Sequence, residues 1–178
     1  MTPVYQTIIS GTEGNCMQAA IASLLDMKLE EVPDFKKSGH LWMQDIYRFL
    51  WNNGYEYHGS IRNPRDFGSW GEDRMSKIKE LSPGIDGFYF AIVYSPTFAN
   101  FSDFNTNKSV TTHAVIVDSN CNILHDPNPD NKDRQNYPGH LKLDYNGVLE
   151  VFMIEHREGY GYPFEYDDNS EQNFNMKI

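Results

Sequence analysis

Gly11-Thr-Glu-Gly-Asn-Cys-Met-Gln-Ala-Ala-Ile-Ala-Ser-Leu-Leu-Asp-Met27 is the stretch on which the fold of this 178-residue chain turns. Two glycines and an asparagine break the chain ahead of Cys16. After it, Ala19, Ala20 and Ala22 give high helix propensity, and apolar side chains fall on nearly every face. A helix apolar all round is a buried one, and Asn15 stands where its N-cap belongs. Cys16 is therefore expected on the first turn of a central helix. There the helix dipole and the unpaired backbone N–H groups favour a thiolate and are placed to hold an oxyanion. Position alone does not assign it that work, because a lone cysteine on an apolar helix is commonly core filling.

Working outward, residues 4–10 alternate weakly and predict a short strand. Leu29-Glu-Glu-Val-Pro33 predicts one short turn stopped by its proline. Residues 40–53 repeat Leu41, Ile46, Phe49 and Leu50 at helical spacing, with Gly54 at the C-cap position. A strand is expected at 55–58, a Gly-, Asn-, Pro- and Asp-rich loop at 59–72, and a short helix at 73–81. The second half is strand-like, at 87–94, 112–118, 122–126 and 147–155. Ser119-Asn120 reads as the turn of a hairpin. Residues 95–110 and 127–146 read as long loops of the kind that frame sites. Helices first and strands later predict an α+β fold, with N-terminal helices packed on a C-terminal antiparallel sheet. No repeat or linker interrupts the chain, so residues 1–178 are expected to form a single domain, with 158–178 as a polar tail.

His113 opens the run Ala-Val-Ile-Val, where an imidazole is costly unless it is hydrogen-bonded or at work. Asp126 closes the hairpin partner, so pairing brings both to one edge of the sheet. A carboxylate there fixes the ring's tautomer and orientation, which is the task of a triad's third member. A His–Asp pair that only ties two strands together is the plainer alternative. Joined to a cysteine at a helix start, the pair points instead to a nucleophile (Cys16), a base (His113) and an orienting group (Asp126).

Gly14-Asn15-Cys16 leading into the alanine-rich helix, His113-Ala-Val-Ile-Val and His125-Asp126-Pro127 resemble the papain-like fold. The branch of bacteriocin-processing, double-glycine-leader peptidases is the nearest in pattern. The segment from Gly14 to Phe35 also resembles short uncharacterised bacteriophage proteins. The resemblance implies the chain order cysteine, histidine, aspartate and a cysteine hydrolase cleaving a peptide, isopeptide or related amide bond through a Cys16 thioester. It also implies phage encoding, with a host or viral protein as substrate. An acyltransferase, transglutaminase-like or deamidase-like enzyme shares the same triad, and a papain-fold binding protein without catalysis is the third alternative. The family's glutamine, about six residues ahead of the cysteine, is replaced by Ser10. Gln6, brought round by the Gly11-to-Asn15 loop, and Asn15 itself are the side-chain candidates for the oxyanion hole.

A net charge of −10 argues against a nucleic-acid partner. The longest apolar runs, such as 88–94, are too short to span a bilayer, so no membrane association is expected. Met1-Thr-Pro-Val-Tyr-Gln6 lacks the basic and apolar regions of a secretory signal, which makes a cytoplasmic location the expectation. The partner expected is a peptide or protein substrate. Two cysteines, with no Cys-x-x-Cys and no His-Glu-x-x-His, predict neither a disulfide scaffold nor a metal site, and no cofactor is called for. Cys121 in the hairpin turn reads as a bystander. His125 should face away from Asp126, toward a rim or water. His40, His58 and His140 read as solvated. Trp42, Trp51 and Trp70 read as core or groove floor, and Asp130 and Asp133 as a polar loop without ligand spacing.

Overall fold

The computed structural model describes residues 1–10, 13–62, 78–94, 112–120, 122–131 and 148–157. The central element is helix α1 (Cys16–Leu24), whose Ala19, Ala20, Ile21, Ala22 and Leu24 are all buried. It stops three residues short of where its apolar pattern ends. Asp26 adopts a left-handed φ of 55°, and Met27 turns its N–H back onto the Ala22 carbonyl. A 3-10 turn at Leu29–Glu31 follows.

The second helix begins later than its periodicity predicts. Residues Phe35–Leu41 form 3-10 turns broken by Gly39 at φ 59°, a conformation that glycine accepts without strain. Helix α2 then runs from Trp42 to Asn52, and Gly54 closes it at φ 86°.

Among the described residues, five strands form one antiparallel sheet: β1 (Tyr55–Arg62), β2 (Phe88–Tyr94), β3 (Thr112–Asp118), β4 (Ile123–His125) and β5 (Val148–His156), in the order β1-β5-β2-β3-β4. Helices α1 and α2 against one face of an antiparallel sheet make the fold α+β. Four strands lie where the sequence places them. The first runs four residues past expectation, because a bulge at His58 and Gly59 (φ 115°) re-aims the strand and keeps it paired with β5. Residues 4–10 form no strand at all. Their backbone groups bond to side chains and to the Pro127 carbonyl instead of to a sheet neighbour.

The sheet is buried on both faces, which is why β2 and β3 read as nearly unbroken apolar runs. Phe90, Ala114, Ile116, Phe152 and Ile154 pack with α1, Phe35 and the Ile46 and Leu50 side chains of α2. Tyr89, Ala91, Val93, Val115, Val117, Val151 and Met153 pack on the other face with Ile78, which belongs to a helical segment at 78–81. Within the expected helix at 73–81, residues 73–77 lie outside the described residues. So do the expected loop at 95–110, most of 127–146 and the 158–178 tail, along with Cys121, Trp70, Asp133 and His140. No helix among the described residues is long and apolar enough to cross a membrane.

Candidate active site

The β3–β4 hairpin is built as its sequence predicts. Asp118 organises the turn, its carboxylate accepting from the Asn120 and Asn122 backbone N–H groups. Ile116 pairs with His125, so the chain leaving β4 at Asp126 runs toward the start of β3. There its Oδ1 lies 2.6 Å from His113 Nε2. A carboxylate oxygen accepts, so Nε2 carries the hydrogen and Nδ1 is left as the ring's basic atom. Oδ1 also accepts from the Asn128 N–H at 2.8 Å, which fixes the carboxylate from its other side.

Helix α1 delivers Cys16 to the same place, where its thiol and the His113 ring interact electrostatically. The three residues are buried together: Cys16 and His113 are each 7% exposed and Asp126 3%. Burial by itself pushes the Cys16 thiol up. The hydrogen bond and charge of His113 outweigh it, with help from the Ala114 backbone N–H and the charge of Lys36, so the thiol titrates below its ordinary value. Burial likewise disfavours a charged His113, yet its bonds to Asp126 and Cys16 raise it to about 9. Both shifts favour one microstate, a thiolate beside an imidazolium, in a place where either charge alone would be expensive.

Asn15 sits at the N-cap position but does not cap α1 with its side chain. Its Oδ1 accepts from the Thr7 and Ile8 N–H groups at 3.1 and 2.9 Å, and its two Nδ2 hydrogens go to Thr7 Oγ1 and Gln18 Oε1. In this arrangement Asn15 has no amide hydrogen left for an oxyanion; it holds the loop ahead of the cysteine. Gln6 is buried at 7% exposure, and its backbone N–H donates to the Pro127 carbonyl at 2.9 Å, beside Asp126. Its Nε2 gives one hydrogen to the Ile8 carbonyl at 3.3 Å, and its Oε1 is buried with no partner among the described residues.

Other side chains depart from expectation. His125 faces neither a rim nor water: it is 1% exposed, because the N-terminal segment covers it, and Nε2 donates to the Val4 carbonyl. His58 is not simply solvated, since Nε2 lies 2.5 Å from Glu155 Oε1 across the β1–β5 pair. His40 is exposed. Trp42 packs against the α1-side core, while Trp51 stacks on Tyr47 with Arg157 over its ring. Asp130 is exposed, and no cluster of three His, Cys, Asp or Glu side chains able to hold a metal ion occurs among the described residues.

Two residues that build the site escape a sequence reading. Gln18 takes the Asn15 amide and gives its own hydrogens to the Leu29 and Val32 carbonyls, fixing residues 29–32 against the first turn of α1. Ser23, fully buried, bonds Val4 through its Oγ. The available signal was their polarity on an otherwise apolar helix. No protein-family model, curated protein or solved structure matches the chain.

Proposed function

We propose that this chain is a cysteine hydrolase with a papain-like arrangement, cleaving a peptide, isopeptide or related amide bond through a thioester on Cys16. The observation that carries the proposal is the buried His113 ring held by Asp126 Oδ1 at 2.6 Å, with the Cys16 thiol, its pKa lowered against burial chiefly by that ring, beside it. A core-filling cysteine needs no such ring.

In this mechanism the thiolate attacks the substrate carbonyl carbon, forming the S–C bond while the carbonyl π electrons move onto oxygen. As the tetrahedral species collapses, the C–N bond breaks and the His113 imidazolium gives its proton to the departing nitrogen. Water then adds to the thioester with His113 taking its proton. The C–S bond breaks, a carboxylic acid leaves, and the thiolate–imidazolium pair is restored. The Cys16 backbone N–H, at a helix start lacking a side-chain cap, is the main-chain donor for the oxyanion, and the second hydrogen of Gln6 Nε2 is the side-chain candidate.

Alkylation tests the reading. Iodoacetamide labelling of Cys16, located by peptide mass, is expected to proceed well below the ordinary thiol range. His113→Ala should slow it near pH 7, because the thiol then loses the hydrogen bond and charge that hold its pKa down, leaving less thiolate. p-Nitrophenyl acetate should leave one acetyl group on Cys16, and none in Cys16→Ala or His113→Ala. Labelling no faster than an ordinary thiol, with no acetylation, would assign the fold to binding rather than catalysis. If acetyl-Cys16 passes to an added amine in preference to water, the enzyme is an acyltransferase.

A further inference from the structure

The main chain of the N-terminal segment hydrogen-bonds to α1, to the residue ahead of Cys16 and to the residues on either side of Asp126. Val4 N–H donates to Ser23 Oγ at 2.9 Å, and the Val4 carbonyl accepts from His125 Nε2 at 2.9 Å. Gln6 N–H donates to the Pro127 carbonyl, and the Thr7 and Ile8 N–H groups converge on Asn15 Oδ1. The partners are not scattered. His125 and Pro127 stand on either side of Asp126, and Asn15 immediately precedes Cys16. A strand-less stretch thus ties the helix bearing the sulfur to the segment bearing the carboxylate, two parts that share no covalent connection for more than 100 residues.

We infer that residues 4–8 are a strap that sets the spacing between Cys16 and Asp126, and that His125 is the positioning residue that fastens it. The inference rests on the catalytic reading of the Cys16–His113–Asp126 site. A relay closed by a 2.6 Å bond tolerates little drift, since displacements near 1 Å cost roughly a hundredfold in rate. The strap also carries Gln6, so one fastening registers the oxyanion candidate along with the carboxylate.

The chemistry of His125 suits a clasp better than filler. A carbonyl only accepts, so Nε2 must hold the hydrogen in the bond to Val4. The Tyr5 ring lies edge-on at 5.3 Å and closes one side. Burial chiefly holds the ring's pKa down, the Val4 carbonyl and Asp126 pull the other way, and the charge of His113 lowers it further. A neutral ring leaves the Asp126 charge to His113.

Cys16 alkylation by iodoacetamide, followed across pH in the full chain, tests this. His125→Leu removes the donor and should move the apparent Cys16 pKa upward, slowing labelling at pH 6.5 about tenfold per unit moved. His125→Gln keeps an N–H near the Nε2 position and should retain the wild-type profile. Ser23→Ala releases Val4 from α1 without touching the triad and should shift the profile in the same direction as His125→Leu. It is the deciding variant if His125→Leu does not fold. A folded His125→Leu or Ser23→Ala protein with the wild-type profile overturns the strap, as does a folded His125→Gln protein that behaves like the leucine variant. Wild-type protein labelling as an ordinary thiol would instead remove the catalytic reading itself.

Discussion

At Asp126 the same oxygen accepts from His113 Nε2 and from the Asn128 N–H, so the carboxylate both aims the ring and is itself aimed. Asp126→Asn retains an acceptor for both bonds but removes the charge. Orientation should survive while the upward pull on His113 weakens. Acetylation of Cys16 by p-nitrophenyl acetate is expected to slow by roughly tenfold to a hundredfold, as for other groups that orient a working imidazole. Its alkaline limit should also fall below the value near 9 that the wild-type ring sets. A loss as complete as that of Cys16→Ala would mean the residue does more than orient and charge-balance. That Cys16, His113 and Asp126 come together was legible because each breaks its local pattern: a thiol after a glycine-broken loop, an imidazole heading an apolar strand, a carboxylate before a proline. Gln6 and Asn15 were not separable, because which amide has a hydrogen left is set by neighbours distant in the fold.

At the scale of elements, the loop into α1 is packed main chain against main chain. A Cβ added at Gly14 would lie 2.4 Å from the Ser10 carbonyl oxygen and 3.3 Å from that of Ile8. Neither atom is the yielding end of a side chain. Gly14→Ala must therefore displace the loop, and Asn15 with it, at a cost of about 1–3 kcal/mol. Thermal unfolding should register the loss, and Cys16 alkylation should slow in parallel. Unchanged melting would mean the loop has room to move aside. The elements that sequence located well, α1 and the β3–β4 hairpin, are those whose signals are local: alanine-rich burial in one, an Asp-Asn turn in the other. The late start of α2 and the extension of β1 were misjudged, because Gly39 and Gly59 take positive φ values that composition does not announce.

Across the whole molecule, the triad should leave a signature in stability against pH. Between about 6.5 and 9 the folded ring keeps a proton that the unfolded ring has lost, while the folded thiol, its pKa lowered, gives one up more readily than the unfolded thiol. The two differences oppose each other, so the pair adds little slope there. Buried neutral His125, its pKa lowered, makes stability fall as pH falls below 6.5. Cys16→Ala breaks the balance. Folded His113, still held up by Asp126, then carries a proton that the unfolded ring lacks above 6.5. Relative to wild type, its stability should decline as pH rises above 6.5, with a slope approaching about 1.4 kcal/mol per pH unit. Urea midpoints of the two proteins across this range measure the difference, and parallel curves would show that the ring is not held charged. By itself the sequence determined the α+β order of elements, the apolar runs that become a sheet buried on both faces, and the identity of three chemically poised side chains. Periodicity and residue type carry that information locally. Only tertiary structure decided that residues 4–10 become bonded main chain rather than a strand, that Asn15 spends its amide on the loop, and that His125 is sealed against Val4. Those outcomes depend on which distant donors meet which acceptors once the chain has closed on itself.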